Sequence, residues 1–210
     1  MDSASASGRG LPLQFVAIFL DVLTDLVGAH GTGALLRRAG HPEWISSPPR
    51  LTLDEFASAE TVTAIFAGLE DLYGLRGSRG LGRRLGAGLV ERCLKDLGAL
   101  AGLGDASFQA LPGKVRARVG TLALGRVLTG IGVPAQVTST EQATMFSVPD
   151  CPFCFGRSLE AAGCMALVGL VEANLRLSAA DLALRAEETA CRGIGSAACE
   201  VTIPLPSAAE

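Results

Sequence analysis

The chain has 210 residues, 49% of them apolar and 19% charged, so it is long enough to bury a sizeable core and too apolar to be a disordered polyelectrolyte. An aromatic share of 5% means that this core is filled mainly by Leu, Val and Ala. The formal net charge of −3 and a pI near 5.5 supply no long-range field for nucleic acid or an anionic membrane surface, and nucleic acid is excluded as an expected partner.

Met1 to Gly10 is rich in Ser, Ala and Gly and reads as a disordered leader, residues 1–10. From Phe15 to Val27, Val16, Phe19, Leu20, Leu23, Leu26 and Val27 recur at helical spacing, with Gln14, Asp21 and Asp25 opposite. The three polar residues argue against a transmembrane segment, and no small-residue cleavage signal follows. Pro48 and Pro49 mark a loop, and Thr52 with Glu55 has the spacing of a capping box opening a second helix. That helix carries Val62, Ile65, Phe66, Leu69, Leu72 and Tyr73 and is expected to stop at Gly74.

The basic, glycine-rich stretch from Gly77 to Gly88, with Arg76, Arg79, Arg83 and Arg84, lacks the Lys-Ser/Thr of a phosphate-binding loop and reads as a loop running into a closely packed helix, Leu85 to Leu97. Its arginines are either a grip for an acidic ligand group or a solvated face. A further helix runs from Gly113 to Leu128. The period then changes from 3.6 to 2: Pro134 to Thr138 and Ala143 to Val148 read as strands, Arg157 to Leu177 as helix, and Asp181 to Thr189 and Cys199 to Ile203 as strands. The expectation is an α+β fold of one domain, residues 11–204, mainly helical over 11–130 and built of strands, a helix and a metal site over 131–204, with a tail at 205–210.

Six cysteines without a secretion signal point to a reducing, cytoplasmic setting and to thiols used as metal ligands or in catalysis rather than as disulfides. Cys93 stands apart from Cys151, Cys154, Cys164, Cys191 and Cys199. In the expected helix Cys164 shares a stripe with Val168, Val171 and Leu175 and so faces inward. Glu188 ends an apolar strand face formed by Leu182, Leu184 and Ala186, where a carboxylate needs a partner. Cys199 shares an inward face with Val201 and Ile203, and Cys191 lies in the glycine-bearing loop between. Three thiolates and a carboxylate are a tetrahedral zinc set, closed to solvent and therefore structural. The competing reading is that these are buried small hydrophobes. Cys151-Pro152-Phe153-Cys154 is either a redox pair or half of a second metal site.

Asp150 to Ser158, Gly163 to Ala173 and Glu187 to Ile203 together resemble the 4-vinyl reductase, or hydrocarbon-binding, domain family, which is related in fold to TRAPP tethering subunits and to bacterial phenol-sensor domains. The resemblance implies a zinc ion on Cys164, Glu188, Cys191 and Cys199, an apolar pocket between helices and sheet, and a homodimer formed through the helical part. His30, His41, Trp44 and Tyr73 have no motif around them and read as packing residues. The expected function is binding of a small apolar molecule by a non-enzymatic sensor or carrier without catalytic residues, working with a separate signalling or biosynthetic partner. The alternatives are an enzyme or accessory protein acting on a tetrapyrrole vinyl group in bacteriochlorophyll synthesis, and a ligand-free scaffold subunit.

Overall fold

The computed structural model describes residues 10–97 and 100–206, together with the backbone but not the side chains of residues 93–97 and 101. The leader expected over 1–10 lies outside the described residues apart from Gly10, as do the last four residues of the tail and the side chain of Cys93. Within them the fold is α+β, with the helical first two thirds packed on a small antiparallel sheet.

Strand β1 (Leu11–Pro12) pairs with β2 (Phe56–Ala57) and holds the start of helix α1 (Leu13–Arg38) against the domain. On length and composition α1 would pass as a membrane span, yet Phe15 to Leu20, Val22 and Leu23 are buried in the protein's own core. The helix breaks at Gly28, whose φ of 73° and ψ of 165° lie in a region open essentially to glycine alone.

Helix α2 (Ala59–Leu97) breaks in the same way at Gly74, φ 68° and ψ 169°, where the sequence pattern stops. It resumes at once, so the stretch from Gly77 to Gly88 is helical and not the expected loop. Its small residues seat it directly on another helix. The capping box is also overturned: Thr52 Oγ1 accepts from the Asp54 N–H at 3.1 Å in a turn, and the Glu55 carbonyl accepts from the Leu13 N–H at 2.8 Å, so the helix opens only after β2.

Short helix α3 (Ala106–Gln109) leads into α4 (Gly113–Gly130), followed by β3 (Gln136–Ser139) and β4 (Ala143–Val148). Helix α5 (Met165–Ser178) is buried from Ala166 to Leu175 between α2, α4 and the sheet. It starts eight residues later than the pattern from Arg157 suggested. Residues 155–163 instead form an irregular segment, turned at Gly156 with φ of 67° and tied down by the Leu159 N–H donating to the Gly193 carbonyl at 2.7 Å.

Strands β5 (Glu187–Ala190) and β6 (Cys199–Pro204) complete an antiparallel sheet of order β3-β4-β6-β5. The strand expected from Asp181 is shortened. A 3-10 turn over Ala180–Leu182 and Ala183 at φ 45° break the alternation, and Asp181 pairs with Arg116 at 2.7 Å instead of entering a ladder.

Candidate metal centre

The donors arrive on four pieces of backbone: a turn, a helix end, β5 with the residue after it, and β6. Cys151 and Cys154 lie in the turn that leaves β4, which the Cys154 N–H closes on the Cys151 carbonyl at 3.3 Å. Phe153 between them is buried edge-on against Phe66 of α2, ring centroids 5.2 Å apart, and the Thr63 hydroxyl donates to the Pro152 carbonyl at 3.0 Å. The turn is thereby fastened to the helical layer.

Cys164 is the N-cap residue of α5, not a member of its inner stripe, and reaches the interior from the helix end. Cys191 follows β5 directly, and its carbonyl accepts from the N–H groups of Ile194 and Ser196, each at 3.2 Å. Cys199 opens β6 and pairs in register with Val148 at the end of β4, so the β4–β6 ladder delivers the Cys151 turn and Cys199 to one corner. Arg192 clamps this corner from outside, donating to the Pro149 carbonyl and the Asp150 carboxylate, both at 2.7 Å.

The five cysteines converge, and none is more than 1% exposed. The Sγ atoms of Cys164 and Cys199 are 3.5 Å apart; Cys151 lies 3.7 Å and Cys191 3.7 Å from Cys164, and Cys154 lies 3.3 Å from Cys199. These are not disulfide distances, which are near 2.05 Å. They lie just below the edge of about 3.8 Å expected between two thiolates each about 2.3 Å from one tetrahedral ion. Two four-membered groups have all donor atoms within 4.8 Å of one another: Cys151, Cys154, Cys164 and Cys199, and Cys164, Glu188, Cys191 and Cys199. The structure thus brings the four residues expected as one set together, and adds the Cys-x-x-Cys pair to the same cluster. Position in the chain alone had left that pair unplaced.

Both carboxylate oxygens of Glu188 accept from the Cys164 N–H, at 3.1 and 3.0 Å, which orients the group toward the sulfurs. Burial pushes its pKa up to about 7. Among the thiols, hydrogen bonds from Cys151, Cys164 and Cys199 hold Cys154 far below the usual thiol range, and a hydrogen bond from Cys164 lowers Cys191 to about 5. Burial raises Cys151, and the surrounding sulfurs raise Cys164. Sulfurs gathered in this way are a soft donor set of the kind that takes zinc. Cys199 Sγ also accepts from the Arg192 N–H at 3.4 Å, an outer-shell bond to a candidate ligand.

The arginines of the 76–84 stretch are divided. Arg79 donates to the Ala162 carbonyl at 2.6 Å, and Arg83 forms a two-pronged pair with Glu172 of α5, one bond being 2.7 Å. Both tie α2 to the C-terminal half. Arg76 and Arg84 are exposed.

No family model matches the chain, and no curated protein sequence matches it either. Solved structures are similar in fold. An H-NOX protein from S. oneidensis in the Fe(II)NO ligation state aligns over 90% of this chain and 99% of its own, with a TM-score of 0.57 and 9% identity. A variant Tt H-NOX aligns over 97% and 100%, with a TM-score of 0.56 and 13% identity. A trafficking protein particle complex subunit 3 from Naegleria fowleri, covalently bound to palmitic acid, aligns over 70% and 82% with 16% identity, and at a TM-score of 0.41 that likeness is too loose to define a fold. The chain therefore shares the fold of H-NOX domains.

Among the described residues, neither histidine belongs to the clustered donors. His30 is exposed, and His41 is engaged by Glu43 at 3.0 Å and Thr61 at 3.1 Å while stacking on Trp44. The apolar interior lined by Phe15, Val133, Val148, Phe153, Leu167 and Leu170 encloses only about 10 Å³, room for no more than a water. The clustered candidate donors among the described residues are five thiols and the Glu188 carboxylate.

Proposed function

We propose that the chain is a non-enzymatic ligand-binding module of the 4-vinyl reductase type, a sensor or carrier whose C-terminal half is braced by zinc. The convergence of five buried cysteines and Glu188 carries this reading, because Cys164, Glu188, Cys191 and Cys199 are the residues on which the family resemblance places its metal. Zinc here would be structural: the sulfur donors are buried, and the ion's binding energy would become folding energy. A reduced thiol cluster fits a cytoplasmic protein.

The apolar ligand is assigned to the cleft between the β1–β2 ladder and the end of α4, about 670 Å³ in volume, where Leu53, Phe56 and Ile131 present apolar surface. Its size falls within the range of small-molecule sites. The H-NOX fold supports ligand binding in general terms, since the S. oneidensis protein of that fold is described in an Fe(II)NO ligation state. Leu111, Val115, Val119 and Leu122, all exposed along and just before α4, give the implied homodimer a face.

Native mass spectrometry of the purified chain beside a denatured spectrum tests the reading in one sample. Zinc, an apolar adduct and a doubled mass are expected, and loss of the adduct in Phe56→Ala would locate it. A chain without metal and without adduct would overturn the proposal. A bound pigment would favour the tetrapyrrole alternative. One observation favours a second reading, a ligand-free scaffold: the filled interior beside Phe153 and Leu167. Zinc without any adduct, and no thermal shift with aromatic or fatty-acid probes, would select it.

A further inference from the structure

We propose that the cysteine cluster holds two metal ions, with the thiolates of Cys164 and Cys199 bridging them. The inference rests on the zinc reading above and extends it from one ion to a binuclear centre.

The two donor groups are not rival descriptions of one site. Each has the four ligands that a tetrahedral ion needs, and they share the pair Cys164 and Cys199. Cys151 and Cys154 complete one group, Glu188 and Cys191 the other. Two tetrahedra sharing one edge use six donors, and six are present. The shared edge is the 3.5 Å separation of Cys164 and Cys199, and the outer sulfurs stand 3.3 to 3.7 Å from it.

A single ion leaves two donors over wherever it sits. In the Cys-x-x-Cys half it strands Glu188, whose carboxylate is oriented toward the sulfurs by the Cys164 N–H, and Cys191. In the other half it strands two fully buried thiols. Six anionic donors shared by two dications carry a net charge of about −2, the charge four thiolates carry around one zinc, so the second ion removes the excess without any new counter-charge. The five sulfurs are buried, so the all-sulfur ion draws its shell from the protein donors themselves. The Arg192 N–H on Cys199 Sγ suits a bridging thiolate, which gives electron density to two ions. The metal class is a thiophilic divalent ion without redox chemistry: zinc, with cadmium as its reporter.

The test is anaerobic loading of the full chain with zinc and with cadmium-113, counted by native mass spectrometry and read by cadmium NMR. Two ions per chain are expected, with two resonances coupled to each other through the shared sulfurs. The all-sulfur ion should lie downfield of the ion that also binds Glu188. The double variant Cys151→Ser/Cys154→Ser should bind one ion and lose the downfield resonance. A wild-type chain that saturates at one ion overturns the bridged pair and leaves the structural zinc standing; a chain that binds none overturns both. Two uncoupled resonances, or an iron–sulfur absorption band in protein as isolated, also overturn the proposal. Should the double variant fail to fold, the wild-type count and coupling decide alone.

Discussion

Gly169 of α5 lies so close to Arg83 of α2 that a Cβ at Gly169 would stand 1.9 Å from the Arg83 carbonyl oxygen. The contact is reciprocal, since a Cβ on Gly86 would stand 1.9 Å from the Ala166 carbonyl oxygen. The obstacle is backbone in both cases and cannot swing aside. Gly169→Ala should therefore destabilise the fold by about 3 kcal/mol or more, the cost of forcing two packed helices apart. Gly80→Ala, on the same α2 helix with nothing within 4 Å, should raise stability by about 0.5–1 kcal/mol. Urea unfolding of the two variants gives the comparison.

The helix breaks make a different prediction. Around Gly28 and Gly74 there is free space, so strain alone opposes a side chain. Alanine at either position should cost about 1–3 kcal/mol, and asparagine should not rescue it, because the conformation lies outside the left-handed helical region that asparagine tolerates. Thermal melts of Gly74→Ala and Gly74→Asn should agree closely.

Asn174 is fully buried in α5 with neither its Oδ1 nor its Nδ2 hydrogen-bonded. An unsatisfied buried amide costs more than an apolar group of the same branched shape. Asn174→Leu is expected to stabilise the protein by about 1 kcal/mol, measured as a rise in the urea midpoint. A fall would show that the amide is satisfied by a bound water.

Stripping metal with a chelator should act locally. Amide hydrogen exchange is expected to quicken over 151–164, 187–194 and the start of β6, while α1 and the first turns of α2 keep their protection. Cys164→Ser should lose about 3 kcal/mol or more of stability in the presence of zinc and very little in its absence, because the lost energy is that of the ion. Equal losses under both conditions would assign Cys164 to packing alone.

What the chain alone made legible is what local spacing encodes. The helical stripes through Phe19 and Leu23, and through Ile65 and Leu69, are buried as their period requires, and β4 and β6 follow their alternation. The donor types and their short spacings, Cys151 to Cys154 and Glu188 to Cys191, were visible because a turn or strand end holds residues three apart on one side. Periodicity misled wherever regular patterning had no partner to pair with. Residues 157–163 carry helical spacing, but Leu159 is held by Gly193, and residues 181–186 alternate beside no strand.

Only the tertiary structure decided that the two cysteine pairs belong to one cluster. Cys151 and Cys199 are distant in sequence and meet because Val148 pairs with Cys199 across the β4–β6 ladder, while α5, seated glycine-to-backbone on α2, drives Cys164 between them. Spacing along a chain sets which residues can share a turn or a face. Which turns share a corner depends on sheet register and helix contact, and these are set by packing across the whole domain.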